Sequence, residues 1–125
     1  KRDDITHYTA GKQYGAPRQA RAFLQALPGI VRELCTGADV LLYQAGADPH
    51  IDDPLGGWLT SEQLRERDAI VFESALALGV PVAWNLAGGY QRDADGGIAP
   101  VLAIHRATLQ EALRVDALAA AAAFA

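Results

Sequence analysis

The chain has 125 residues, of which half are hydrophobic and 21% are charged, as is ordinary for one globular domain. Its net charge of −4 comes without a basic cluster, and no apolar run reaches the roughly 20 residues that span a membrane, so we expect neither a nucleic-acid nor a membrane partner. The single cysteine, Cys35, excludes a disulfide within these residues and favours a reducing, cytoplasmic location.

The chain contains no methionine and begins with Lys1 and Arg2. Because translation normally starts at methionine, we expect these residues to be a piece of a longer protein. No signal-peptide pattern opens them. Residues 5–9 are interpreted as a short strand, and residues 11–16 as a surface loop.

A helix is predicted from Pro17 onwards, because apolar residues recur at steps of three and four positions. Pro28 and Gly29 interrupt this pattern, which predicts either one kinked helix or two short helices on a common face. Gly37 suits the position just past the helix end. The predicted buried stripe comprises Ala20, Phe23, Leu24, Leu27, Val31, Leu34 and Cys35.

An apolar run at residues 40–43 predicts a strand that is buried on both faces. Three small residues then lead into an acidic loop with Asp48, Asp52 and Asp53. In open α/β sheets chemistry sits where strands end at their carboxyl edge, so Asp48 is a candidate metal ligand. The alternative is that Asp48 only caps a turn before Pro49.

The second predicted helix begins at Thr60, where Thr60 and Gln63 have the spacing of a capping box. Arg67 and Asp68 are interpreted as a structural ion pair between this helix and the sheet. Gly79 suits the helix end, and a proline two residues later prevents its continuation. The predicted buried stripe comprises Leu64, Val71, Phe72, Ala75 and Leu78.

A second strand is predicted at residues 82–86, followed by Gly88, Gly89 and Tyr90. Helices alternating with strands across short connections indicate an α/β fold with parallel pairing. Tyr90 is either an aromatic plug over the sheet edge or a phenol that stabilises charge on a substrate carbonyl. The two glycines could instead mark a phosphate-binding turn, although this signal is weak.

The last helix is predicted to follow a polar loop at residues 91–97 and to carry Pro100 in its first turn. Residues 116–125 are interpreted as a fraying helical tail. Its predicted stripe comprises Val101, Ile104, His105, Thr108 and Ala112. Two strands that are apolar on both faces need neighbouring strands and helices that this chain does not supply, so we expect an incomplete domain.

The three histidines are interpreted as lying too far apart in the sequence to show ligand spacing. His105 shares an apolar helical stripe and is interpreted as a packed side chain. His50 lies next to the candidate site, where a direct role is the less favoured alternative. His7 has no assigned role.

Three motifs in order, YQAGADPHIDDPLGG, LTSEQLRERDAIVF and GVPVAWNLAGGYQ, closely resemble the C-terminal half of the zinc-dependent histone deacetylase superfamily. The branch of bacterial deacetylase-like and class IV enzymes is the most similar. The resemblance is strong over residues 39–91. It implies an arginase-like, three-layer α/β fold with a parallel sheet, of which residues 1–125 are the C-terminal portion.

The resemblance also implies roles for individual residues. Asp48 matches the third zinc ligand, and Tyr90 matches the tyrosine that polarises the scissile amide carbonyl. Gly88 and Gly89 match glycines beside which the acyl chain passes, and Leu55 matches an apolar position of the substrate pocket. Asp53, finally, matches a loop acid with a structural role, whereas Asp52 is interpreted as a surface residue.

The family's other two zinc ligands, an Asp-x-His pair, and its tandem His-His pair lie upstream of the matched motifs. We therefore expect zinc-dependent hydrolysis of an N-acetyl amide only from the complete protein, and neither activity nor tight zinc binding from residues 1–125 alone. The substrate is acetyl-lysine or a small acetylated amine such as an acetylpolyamine. A non-enzymatic partner-binding module that retains the fold is the alternative from another class, and the oligomeric state stays open.

Overall fold

The computed structural model describes residues 13–125, so the predicted strand at residues 5–9 and His7 lie outside the described residues. The elements in chain order are a 3-10 turn, Pro17–Gln19, and then α1, Ala20–Cys35; β1, Leu41–Gly46; α2, Ser61–Ala77; β2, Val82–Ala87; and α3, Ala99–Ala123. Helices thus alternate with strands as predicted.

Helix α1 runs without interruption through Pro28, so the alternative of two short helices is wrong. It ends at Cys35, and Gly37 just beyond has a φ of +74°, as expected for a residue that follows a helix end. Five residues of the predicted stripe are buried, whereas Leu34 is exposed, contrary to the prediction.

Helix α2 begins with the predicted capping box. The Thr60 hydroxyl accepts a hydrogen bond from the Gln63 amide at 3.2 Å, and the Gln63 side chain accepts one from the Thr60 amide at 3.0 Å. Such a cap typically contributes about 1 kcal/mol. Leu78 is exposed, contrary to the prediction, because it is the C-cap residue beyond the last helical turn.

Strands β1 and β2 pair in parallel, with Leu41 opposite Val82, Tyr43 opposite Trp84 and Gly46 opposite Ala87. The predicted parallel α/β arrangement is therefore confirmed. Both strands are longer than predicted at their carboxyl ends, and this extension brings them directly up to the loops that carry Asp48 and Tyr90.

The expectation that the strands are buried on both faces is wrong for the described residues. One face packs on the helices, since the Tyr43 and Trp84 rings both contact Phe72 of α2. On the other face Leu42 is 77% exposed, and Gln44, Ala83 and Asn85 are exposed as well. The physical reason is that α1, α2 and α3 all lie on one side, so the described part has two layers rather than three.

The core consists of two apolar clusters between the helices and the sheet. One lies under the carboxyl edge and comprises Ala20, Ala47, Leu59, Leu64, Val101 and Ile104. The other lies further from that edge and comprises Leu27, Val31, Cys35 and Val71. The first cluster supports the functional loops directly, because Ala47 and Leu59 belong to the acidic loop.

Helix α3 carries Pro100 in its first turn as predicted, and it stays helical to Ala123. Residues 116–125 are therefore almost entirely helical, and most of them are exposed. None of the helices at residues 13–125 is long and apolar enough to cross a membrane.

Candidate functional site

The carboxyl ends of β1 and β2 bring the two predicted loops together. The amide of Ala47, the first residue after β1, donates to the Ala87 carbonyl at the end of β2, at 2.9 Å. Asp48 follows, half-buried, beside the turn that leads from β2 to Tyr90. The predicted placement of Asp48 at the carboxyl edge is what the structure shows.

Glycines make the space for the Asp48 carboxylate. A Cβ atom at Gly46 would lie 2.7 Å from Asp48 Oδ1, and one at Gly88 would lie 1.9 Å from the same oxygen. Gly88 also has a φ of +55°, which side chains of other residues rarely adopt. Gly46 and Gly88 thus both allow the backbone to approach the Asp48 carboxylate closely.

The acidic loop closes over the backbone of Asp48 at Gly56, where a Cβ atom would lie 1.4 Å from the Asp48 carbonyl oxygen. No role in the site was predicted for Gly56. Its position in a Gly-Gly pair at the end of an acidic loop is the signal that could have revealed it.

The carboxylate of Asp48 accepts no hydrogen bond from residues 13–125; the side-chain hydrogen bonds of its loop go to His50 and Asp53 instead. A half-buried carboxylate without a donor suits a position that faces a cation. The alternative that the Asp48 side chain caps a turn is therefore not seen in residues 13–125, and the role of Asp48 as a metal ligand stays a prediction.

His50 is buried and both of its ring nitrogens are engaged within the loop. Nδ1 accepts a hydrogen bond from the Asp52 amide at 3.1 Å, which leaves the proton on Nε2 to donate to the Ser61 hydroxyl at 2.8 Å. Asp48, Pro49 and His50 form an Asp-x-His sequence, so the interpretation that the histidines show no ligand spacing is wrong at His50. The geometry gives His50 a structural role, since neither nitrogen is left for a metal.

Asp53 ties the two loops to each other. Its buried carboxylate accepts a hydrogen bond from the Leu55 amide at 2.9 Å and another from the Tyr90 amide at 2.7 Å. The structural role predicted for Asp53 is confirmed: Asp53 connects the acidic loop to the backbone of Tyr90. Asp52, by contrast, has a side chain that is 79% exposed, as predicted for a surface residue.

Tyr90 is held by its backbone while its side chain stays 50% exposed. Gly89 before it has a φ of +104°, and a Cβ atom there would lie 2.6 Å from Val101 of α3 and 3.1 Å from Ala47. In the described residues the two glycines therefore serve close packing. Their role beside an acyl chain stays a prediction, as does the pocket role of Leu55, which is 72% exposed here.

Arg67 and Asp68 form an ion pair, but it lies within α2 and not between the helix and the sheet as predicted; Arg67 reaches the sheet through a hydrogen bond. Its Nε donates to Asp68 Oδ1 at 2.9 Å, and its Nη1 donates to the Gly46 carbonyl at 2.8 Å. Both side chains are buried. This contact lies two residues before Asp48 in the chain.

Within residues 13–125, no three His, Cys, Asp or Glu side chains gather closely enough to hold a metal ion. The carboxylate of Asp48 is a ligand that Zn²⁺ accepts, and Gly46 and Gly88 leave room for it. The described residues therefore fit one ligand position of a zinc site rather than a complete set.

Comparison with known proteins agrees with this reading. The model of the histone deacetylase domain matches residues 6–103. An uncharacterized protein of Picosynechococcus sp. is 33% identical over 88 residues, which are 68% of this chain and 29% of that protein. The chain thus spans well under half the length of the curated relative it matches. No solved structure matches the chain. The chain belongs to the histone deacetylase family.

Proposed function

We propose that the protein carrying these residues is a metal-dependent deacetylase that hydrolyses an N-acetyl amide. The observation that carries this proposal is the geometry of the carboxyl edge. There the Asp48 carboxylate, without a hydrogen-bond donor among residues 13–125, stands beside the turn that presents the half-exposed Tyr90. Family membership supports the same chemistry.

In this proposal Asp48 is one ligand of a zinc ion, and the remaining ligands and the tandem histidines come from parts of the protein outside residues 13–125. Zinc, when bound, would polarise the amide carbonyl and lower the pKa of a bound water. The complete domain would have the arginase-like fold, with further strands beside β1 and β2 and helices over the open face of the sheet.

The chain's own contribution to chemistry is orientation and charge stabilisation. The Tyr90 amide donates to the Asp53 carboxylate at 2.7 Å. This hydrogen bond fixes the position at which the Tyr90 side chain projects from the sheet edge, near Asp48. A phenol O–H directed at a substrate carbonyl stabilises the negative charge that develops when the carbonyl is attacked. Acetyl-lysine and small acetylated amines both present the amide that this arrangement requires.

The proposal is tested by Tyr90→Phe in the complete protein. Loss of one donor to a developing oxyanion typically lowers turnover by about 10²–10³-fold. We expect that loss in steady-state kinetics on an acetylated peptide and on an acetylated polyamine, with the zinc content unchanged. The preferred substrate of the wild type identifies the substrate class. Near-normal turnover of the variant would remove Tyr90 from the mechanism, and no turnover by the wild type would overturn the proposal.

A further inference from the structure

A buried polar cluster joins α2 to β1 and α3, and the proposed chemistry does not use it directly. We define this cluster as Tyr43, Arg67, Asp68 and Thr108. The Tyr43 hydroxyl donates to Asp68 Oδ1, and the Thr108 hydroxyl donates to Asp68 Oδ2 at 2.6 Å. Arg67 donates to Asp68 Oδ1 at 2.9 Å, so both carboxylate oxygens have partners.

Burial of this cluster is costly and is compensated by its internal contacts together with hydrogen bonds to the Gly46 and Ile104 carbonyls. Asp68 and Arg67 are 1% and 7% exposed, and Thr108 is fully buried. Burial raises the pKa of the Tyr43 phenol above its ordinary value; Arg67 opposes this effect, and Asp68 adds to it. Tyr43 therefore stays protonated and remains a donor, and the carboxylate orientation is fixed from three sides.

One hydrogen bond connects the cluster to the backbone of β1. Arg67 Nη1 donates to the Gly46 carbonyl at 2.8 Å, while the Arg67 guanidinium carbon lies 5.8 Å from the centre of the Tyr43 ring. Asp68 fixes the orientation of the Arg67 guanidinium. The guanidinium then holds the last peptide of β1 through its hydrogen bond to the Gly46 carbonyl. That peptide determines the direction in which the chain proceeds to Asp48.

We propose that Arg67, oriented by Asp68, is the positioning residue for the metal ligand Asp48. The inference rests on the proposed function, since it assigns a purpose to a residue that touches neither metal nor substrate. Arginine suits this task because its planar group donates to a carboxylate from Nε and to a carbonyl from Nη1, whereas all donors of lysine are on one nitrogen and lack this fixed orientation. Residues that orient metal ligands typically contribute 10- to 100-fold in metal affinity.

The test is the zinc affinity of the complete protein, measured by competition with a chelating dye well below the melting temperature of every variant. Under that condition a loss of stability alone leaves the affinity unchanged. For Arg67→Lys we expect an affinity about 10- to 100-fold below that of the wild type. The matched control is Arg65→Lys, on the same helix, because Arg65 pairs with Glu111 at 2.6 Å and has no contact with the Gly46 peptide.

A second variant keeps the test decisive if Arg67→Lys fails to fold. Thr108→Val keeps the shape of the side chain but removes a donor to Asp68, so we expect an affinity between those of wild type and Arg67→Lys. Affinities at the wild-type value in both folded variants would overturn the inference. Asp48→Ala serves as the reference. If Asp48→Ala binds zinc like the wild type, the proposed function fails. If Asp48→Ala loses zinc while the Arg67 and Thr108 variants bind it like the wild type, only the inference fails.

Discussion

The two loops at the carboxyl edge are held in different ways. The acidic loop, residues 47–60, is bonded mainly to itself: the amides of Asp53 and Gly57 both donate to the His50 carbonyl, and the Leu59 amide donates to the Pro49 carbonyl. The tyrosine loop, residues 88–98, has its internal bonds around Asp93, beyond the functional residue. Tyr90 itself is bonded to the acidic loop, through Asp53.

This difference implies that the position of the tyrosine loop depends on the acidic loop, and not the reverse. The acidic loop is a self-supporting platform that presents Asp48, and it rests on the core through Ala47 and Leu59. The tyrosine loop takes its position from the acidic loop through the Asp53 carboxylate and through the tightly packed Gly88 and Gly89. Changes that displace the Asp48 carboxylate should therefore affect both metal binding and turnover, whereas changes that remove only the hydrogen bond from the Tyr90 amide to Asp53 should affect turnover alone.

Among the changes that test this comparison of the two loops, the largest effect is expected for Gly88→Ala in the complete protein. The added Cβ atom would meet Asp48 Oδ1 at 1.9 Å, so we expect zinc affinity to fall at least tenfold. Gly79→Ala is the matched control, because Gly79 has a similar φ of +69° and open space around it. Both variants carry a backbone penalty of about 1–2 kcal/mol, and only Gly88→Ala adds the collision. Equal zinc affinities in the two variants would contradict the role of Gly88.

The next effect is expected for Asp53→Asn. An amide cannot accept from both the Leu55 and the Tyr90 amides in place of the carboxylate, so one bond to a charged group, worth about 1.5–3 kcal/mol, is lost. We expect turnover to fall about tenfold or more with zinc retained, as measured by kinetics and metal analysis. Asp52→Asn, an exposed neighbour, should behave like the wild type. Loss of zinc from Asp53→Asn would show that the acidic loop is not self-supporting.

A smaller effect is expected for His50→Ala, which removes both ring hydrogen bonds of the loop. We expect a loss of about 1–3 kcal/mol in the free energy of unfolding, measured in urea. Ser61→Ala, which removes one of the two bonds, should cost less. The opposite pattern, unchanged stability with zinc lost, would mean that His50 is a ligand after all.

The smallest effect is expected far from both loops, at Glu111 on α3. Burial acts to raise the pKa of Glu111, but hydrogen bonds from Arg65 and Arg114 outweigh it, so its pKa lies below the ordinary 4.5. The associated stability is present above pH 4.5 and is lost as the pH falls through the lowered value. Thermal unfolding from pH 6 to 3 should show a shallower acid-side decline for Glu111→Gln. An unchanged decline would contradict this assignment.

The helices and strands were largely predictable, because local signals and the tertiary environment agree. The capping box at Thr60 and the glycine at Gly79 are local, and they fix the limits of α2 in the structure as in the sequence. Burial was predicted less well for the strands. The apolar run that includes Leu42 does not reveal whether anything covers its face, and in the described residues nothing does.

The placement of Asp48 and Tyr90 at the carboxyl edge was predictable, but the hydrogen bonds that connect the candidate site were not. Motif and strand-end position both indicated Asp48 and Tyr90. The bonds from Asp53 to the Tyr90 amide and from Arg67 to the Gly46 carbonyl join residues far apart in the chain, and no spacing rule shows such contacts. Thr108 gave a partial signal, since a threonine on an apolar helical stripe needs a buried acceptor, which is Asp68.

The most direct test of the central claim is the zinc content of the complete protein and of its Asp48→Ala variant, purified side by side and measured by atomic emission. If Asp48 is a metal ligand, the wild type should hold zinc and the variant should hold much less under equal dialysis, while circular dichroism shows both to be folded. Equal zinc contents, or a wild type without zinc that cannot be loaded, would contradict the account.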